Sequence, residues 1–188
     1  GYMMGSVRVA ALSRLRLQYV FTHDSVGVGY DGPTHQPVEL VSMLRCIPRL
    51  DVMRPADAEE CAAAWAHALA RKEGPTALAL SRQNLPILND IPVKTRRLGT
   101  LCGAYIAKRE AGDLKKIIIA TGSELQCALE AGKIELHTRV VSMPCMELFE
   151  RQDAEYKDEV LPPDCQNRIA IEAVSYTHLR AHETTLHL

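Results

Sequence analysis

Leu17-Gln-Tyr-Val-Phe-Thr-His-Asp-Ser-Val-Gly-Val-Gly-Tyr-Asp-Gly-Pro-Thr-His-Gln-Pro-Val-Glu39 runs from an apolar, β-prone segment straight into a polar one. Residues 17–22 read as a short strand. The segment that follows gathers Gly27, Gly29, Gly32, Pro33, Pro37, His23, His35, Asp24 and Asp31, a mixture suited to neither a helix nor a strand interior. Its glycines allow close backbone approach and its prolines fix φ, so the loop is held rather than slack. His23 and His35 can donate, accept or titrate near neutrality, and Asp31 between them can accept from hydroxyls. A loop so equipped, leaving the end of a strand, lies where α/β sheets place their ligands.

Gly27-Val-Gly-Tyr-Asp-Gly32 also matches the dinucleotide pattern GxGxxG, with Asp51 at a suitable distance for the ribose. That pattern needs its first glycine at the strand end and its last inside a helix. Asp24, Ser25 and Val26 intervene here, and Pro33 and Pro37 forbid an uninterrupted helix, so the match is read as accidental.

Outward from the loop, strands and helices alternate. Residues 2–14 place Val7, Ala10, Ala11 and Leu12 among small and basic residues and predict a helix leading into the first strand. Residues 38–47 read as a helix ended by Pro48, and Asp51-Val-Met-Arg54 as a strand before Pro55. Asp57-Ala-Glu-Glu60 has the form of a capping box opening an alanine-rich helix to Lys72, with Ala63, Ala66, His67 and Ala70 on one face. His67 is read as a packing or surface histidine, not a ligand. Thr76-Ala-Leu-Ala-Leu-Ser81 is a strand that delivers Ser81, Arg82 and Gln83 at its C-terminal end. Parallel strands would bring the ends after Thr22 and Ser81 to one edge, so that Arg82 converges with His23 and His35. Standing alone, Arg82 reads as an ordinary surface ion-pair partner.

Residues 84–100 lose periodicity and gain Pro86, Pro92, Lys94, Arg96 and Arg97, the pattern of a linker with a solvated basic run. Ile117-Ile-Ile-Ala120 reads as a buried strand and Thr121-Gly-Ser-Glu124 as a structural turn into a helix bearing Leu125, Ala128 and Leu129. Arg139-Val-Val-Ser-Met143 and Arg168-Ile-Ala-Ile-Glu-Ala173 complete a second strand set, with a helix over 153–160 between them. The fold class is α/β, two partial doubly wound, mainly parallel-sheet domains joined by a linker. Residues 1–86 form the first domain, 87–100 the linker and 101–173 the second domain; 174–188 form a tail of different character. In that tail His178 and His182 are spaced i, i+4, but without a supporting carboxylate they do not make a metal site.

A formal net charge of −1 gives no electrostatic case for nucleic acid or an anionic membrane. No apolar run approaches the roughly 20 residues of a membrane span, and Gly1-Tyr-Met-Met lacks the start of a signal peptide. Cys46, Cys61, Cys102, Cys127, Cys145 and Cys165 are scattered without a CxxC pair, which argues against zinc and for reduced, mostly buried thiols in a cytoplasmic chain.

The pattern THDSxGxGxDGPTHQPxE, as it stands over residues 22–39, resembles the substrate loop of transketolases. Pro55-Ala-Asp-Ala58, Gly74-Pro-Thr-Ala77, Ser81-Arg-Gln-Asn-Leu-Pro86, Ile119-Ala-Thr-Gly-Ser-Glu124 and Val140-Val-Ser-Met-Pro144 are similar to segments of the same family, in the same order. The likeness covers residues 2–173 and stops at Val174. It implies part of the family's pyrimidine-binding domain followed by the start of its C-terminal domain. The implied activity moves a two-carbon ketol unit from a ketose phosphate to an aldose phosphate, with thiamine diphosphate and a divalent metal, Mg or Ca, in a homodimer. By the same likeness His23 and Arg82 contact the substrate phosphate, Asp31 and His35 bind hydroxyls near the donor carbonyl, and His35 is the catalytic candidate. The main residues for cofactor and metal are expected outside this chain, so the chain alone is expected to be inactive.

Two departures bear on that expectation. Tyr30 stands where the family pattern carries glutamate, and a phenol is not an anionic partner at neutral pH. The segment between Leu129 and Val140 is short for the family, which predicts a truncated helix. Two other readings stay open at this point. Deoxyxylulose phosphate synthase shares the DGPTH stretch, although the paired His23 and Asp24 and the stretch 81–86 favour transketolase. A non-catalytic interaction module related to these enzymes is the other.

Overall fold

The computed structural model describes residues 1–24, 28, 35–37 and 39–173. Asp31, Tyr30 and the tail 174–188 lie outside the described residues. In chain order the elements are α1 (Met4–Leu12), β1 (Gln18–Phe21), α2 (Leu40–Arg45), β2 (Asp51–Met53), α3 (Ala58–Ala70) and β3 (Thr76–Ala79). There follow α4 (Val93–Cys102), β4 (Tyr105–Lys108), β5 (Lys116–Ala120), a 3-10 turn (Gly122–Glu124), α5 (Leu125–Ile134), β6 (Thr138–Ser142), α6 (Met146–Glu150), α7 (Ala154–Val160) and β7 (Arg168–Ile171).

The first sheet has the order β1-β3-β2 and is parallel throughout, with Phe21 opposite Ala79 and Val52 opposite Ala77. The pleat sends alternate residues to opposite faces. Val52 and Ala77 join Val7, Ala10, Ala11, Leu44 and Ile47 in one apolar layer, while Met53 and Leu78 join Ala64 and Ala68 of α3 in another. Helices therefore cover both faces, which is why β2 and β3 are buried along their whole length.

The second sheet has the order β4-β6-β5-β7; β5, β6 and β7 are mutually parallel and β4 is antiparallel to β6. Ile117, Ile119 and Val141 face Phe149 and Val160 on one side, and Ile118, Ala120 and Val140 face Leu125 and Ala128 of α5 on the other. Two mainly parallel, doubly covered sheets agree with the fold class read from the sequence.

The two sheets are joined along the outer edge of β2. An edge strand carries unpaired backbone groups, and here the second domain supplies their partners. Val52 N donates to Glu147 Oε2 at 3.2 Å, Arg54 N to Pro144 O at 2.9 Å, and Gly122 N to Arg54 O at 3.0 Å. Cys145 and Leu148 of the second domain enter the same apolar cluster as Met53 and Leu78.

Local details depart from the sequence reading in four places. The segment read as linker contains α4 from Val93, and Arg96, read as solvated, is buried and donates to Asp57 Oδ2 and to Ile91 O. Asp57 does cap α3, accepting from Glu59 N and Glu60 N, but Glu60 reaches back to Ala56 N at 2.7 Å, one residue before the cap. On α3 the buried line is Glu60, Ala63, Ala64 and Ala68, whereas Ala66 and Ala70 are exposed. Only Cys145 and Cys165 are buried among six free cysteines; Cys46 and Cys127 are exposed.

Gly103 shows why α4 stops where it does. Its φ of 91° lies in the left-handed region, and an added Cβ would meet Phe149 N, and Cys145 O at 2.5 Å. Glycine alone permits that close crossing of α4's end over the start of α6.

Candidate substrate-binding site

The pairing of β1 with β3 continues past both strands. Leu80 N donates to Phe21 O at 2.8 Å and Asp24 N to Leu80 O at 2.9 Å. That ladder carries residues 22–24 to the C-terminal edge of the sheet, where parallel α/β folds gather functional side chains.

His23 sits there with a φ of 70°, exposed, its Nδ1 3.0 Å from Thr22 Oγ1. A left-handed non-glycine residue costs about 1 kcal/mol or more, so its neighbours must hold it. Asp24 does so by its backbone bond to Leu80 and by its side chain, whose Oδ2 accepts from Arg54 Nε at 2.5 Å.

A cavity of about 400 Å³ opens beside these residues. His23, Asp24 and His35 line it together with Phe21, Val28, Leu40, Val41 and Leu44. One wall is apolar and built by β1 and α2; the other carries imidazoles and a carboxylate.

Of the four candidate residues, the structure brings His23 and His35 to this one cavity. Arg82 follows β3 on the same edge of the sheet and is exposed, but it does not line the cavity among the described residues. Asp31 lies outside the described residues.

Arg54 was not singled out by sequence. It is 1% exposed, at the end of β2, and its guanidinium meets three carboxylates: Asp24 Oδ2 at 2.5 Å, Glu172 Oε1 at 3.2 Å and Glu124 Oε2 at 3.3 Å. Thr121 O accepts a further bond at 3.3 Å. Burial alone would depress the Arg54 pKa, but Asp24, Glu172 and Glu124 outweigh it and push the pKa up, so the guanidinium stays charged. Gly122, with φ 64°, leaves space for it, since an added Cβ would come within 3.2 Å of Arg54 Cζ. The turn 121–124, whose free amides suit an anion in principle, thus presents a carbonyl and a carboxylate to a cation. The available signal was position: an arginine at the C-terminal end of a strand that shares its edge with the histidine loop.

Glu172 also takes both Arg45 nitrogens, Nη1 at 2.8 Å and Nη2 at 2.7 Å, in a bidentate pair. Two further polar clusters join the domains away from the cavity. Asp51 accepts from His67 at 2.8 Å and from Arg151 at 3.0 and 2.7 Å, and Arg71 Nε stands 3.2 Å away. His67 is therefore a hydrogen-bond partner of a buried carboxylate. Glu60 accepts from Tyr105 and Ser142 across the domain boundary. Among the described residues no three His, Cys, Asp or Glu side chains form a metal-holding group, and no helix is long and apolar enough to cross a membrane.

Residues 1–87 match the transketolase pyrimidine binding domain and residues 103–185 the transketolase-like TK C-terminal domain. The second match reaches past Val174, where the motif likeness ends. Transketolase of Dictyostelium discoideum is 60% identical over 173 residues, 92% of this chain and 26% of the relative. That of Streptococcus pyogenes is 49% identical over 181 residues, 93% of this chain and 24% of the relative. The solved transketolase from Leishmania mexicana superposes with a TM-score of 0.86 at 45% identity, covering 97% of this chain and 27% of that one. A Pichia stipitis transketolase solved with sedoheptulose-7-phosphate gives 0.84 at 39% identity, covering 93% and 25%. The chain spans about a quarter of the length of the curated relatives it matches. These relatives favour transketolase over the synthase and the interaction module. With two transketolase domain matches in series, over residues 1–87 and 103–185, the chain belongs to the transketolase family.

Proposed function

We propose that this chain is the part of a transketolase that receives the sugar phosphate during ketol transfer from a ketose phosphate to an aldose phosphate. The observation that carries the reading is the meeting of His23 and His35 on one cavity at the C-terminal edge of the first sheet. A ketose phosphate presents an anion at one end and hydroxyls with a carbonyl at the other, so its site needs charge-assisted donors and hydroxyl partners in one space. His23 and Arg82 are assigned to the phosphate, Asp31 and His35 to the hydroxyls, and His35 to the hydroxyls nearest the reacting carbonyl. The Pichia stipitis relative, solved with a ketose phosphate, is in keeping with that substrate class.

Phe21, Val41 and Leu44 give the cavity an apolar wall. Thiamine diphosphate, when bound, supplies the carbanion chemistry; this chain's residues orient the sugar beside it. The diphosphate and its divalent metal are assigned to residues other than those of this chain, and the complete protein to a homodimer in the cytoplasm. The six free thiols accord with that compartment. On this reading the 188-residue chain binds but does not turn over.

Calorimetry with a ketopentose phosphate, with the unphosphorylated ketopentose and with thiamine diphosphate tests it. The phosphorylated sugar is expected to bind more tightly than the free sugar. Equal heats for the two sugars, or no binding of any of the three, would contradict the reading.

A further inference from the structure

Both walls of the cavity are fastened to the second domain through one carboxylate. On the first wall, His23 is held in its left-handed conformation by Asp24, and Asp24 is held by Arg54. On the second, α2 contributes Leu40, Val41 and Leu44 to the cavity and ends at Arg45. Arg54 and Arg45 converge on Glu172, which follows β7 of the second domain. Glu124, from the same domain, adds a second grip on Arg54. Glu172 and Glu124 do not themselves line the cavity.

We infer that the second domain sets the geometry of the substrate cavity through Glu172, which fixes His23 by way of Arg54 and Asp24 and fixes α2 by way of Arg45. The inference rests on the substrate reading of His23 given above. Glu172, Arg54 and Arg45 are positioning residues: none needs to touch substrate. Burial makes the linkage stiff. Arg54 is 1% exposed and Asp24 5%, and a buried pair that loses one member leaves an uncompensated charge. Among the described residues the buried Asp24 Oδ1 atom has no hydrogen-bond partner, and Arg54 supplies this carboxylate's side-chain anchorage. A plain domain adhesive would have no reason to share one carboxylate between the two ends of a substrate loop. The separate clusters at Asp51 and Glu60 already join the domains without approaching the cavity.

The test uses the full-length enzyme carrying this chain, with Glu172→Gln, His23→Ala and the double variant. Glu172→Gln is expected to raise KM for a ketose phosphate about tenfold, the scale of coupling through a packed polar network. KM for the unphosphorylated ketose should change less than twofold, on the order of a surface substitution's effect. In the His23→Ala background the same substitution should add nothing to KM for the phosphate ester, because its effect runs through His23. A fall in melting temperature with an unchanged ratio of the two KM values overturns the inference and leaves the clamp a purely structural joint. So does full additivity in the double variant. If His23→Ala by itself leaves KM for the phosphate ester unchanged, the substrate reading fails first and this inference with it. Should Glu172→Gln not fold, Glu172→Asp keeps the charge but shortens the reach to Arg54 and Arg45, and the same ratio of KM values decides.

Discussion

Glu60 on α3 accepts the phenolic hydroxyl of Tyr105 on β4 at 2.8 Å, a buried carboxylate of the first domain meeting a buried phenol of the second. Ser142 Oγ donates to the same oxygen at 2.6 Å and Ala56 N to the other at 2.7 Å. Burial pushes the Tyr105 hydroxyl well above its usual range, so it remains a donor at any ordinary pH. Glu60→Ala strands three buried donors and is expected to cost about 3 kcal/mol, at roughly 1 kcal/mol or more each. Urea unfolding of the 188-residue chain checks it; a loss under about 1 kcal/mol would mean that the donors find other partners.

Two buried carboxylates respond to acid in opposite senses. Burial would raise the Asp51 carboxyl, but the hydrogen bonds from His67 and Arg151 and the charge of Arg71 outweigh it and hold it below 3.8. Its contribution is therefore present above pH 3.8 and lost as pH falls through the depressed value. Glu60 is raised above 4.5 by burial, so its contribution is present below that value and lost as pH rises through the raised one. Asp51→Asn is expected to cost about 3 kcal/mol at neutral pH, as for a broken buried pair. Urea midpoints at pH 7 and pH 3 should show that difference shrinking in acid. A difference that grows on acidification would reverse the sign assigned to Asp51.

At Gly103 the crossing of α4 over α6 leaves no space for a side chain. The left-handed φ of 91° and the approach of Cys145 O at 2.5 Å to an added Cβ oppose any replacement. Gly103→Ala should destabilise the chain by about 2 kcal/mol or more. An unchanged melting temperature would show that the α4–α6 crossing relaxes freely.

Much of this architecture was legible because strands and helices alternate with clear punctuation. Pro48, Pro55 and Gly74-Pro75 bracket β2 and β3, and the runs 117–120 and 139–143 contain all but the first residue of β5 and of β6. β4 escaped because its four residues, Tyr105 to Lys108, carry no alternation and pair antiparallel beside a bulge. α4 escaped because its buried face is formed by Arg96, Gly99 and Thr100, which an apolar count passes over. In the site, His23 and His35 announced themselves by residue type. Asp24 and Arg54 did not, since their partnership spans 30 residues and depends on which strands become neighbours. A charge that is going to be buried looks in sequence like any surface charge.

The isolated 188-residue chain, supplied with thiamine diphosphate, magnesium, a ketose phosphate and an aldose phosphate, is expected to show no ketol transfer. A coupled assay of aldose phosphate release checks this. Turnover above the protein-free rate would place the remaining cofactor-binding groups within these residues.

The most direct test is a titration of the histidine-labelled chain with a ketopentose phosphate, followed by NMR of the imidazole carbons. His23 and His35 should shift together along one saturable curve, while His67, held on Asp51, and His137, 3.0 Å from Asp113 O, stay in place. Shifts at His67 or His137 alone, or no saturable shift at His23 and His35, would contradict a sugar-phosphate site at the shared edge of β1 and β3.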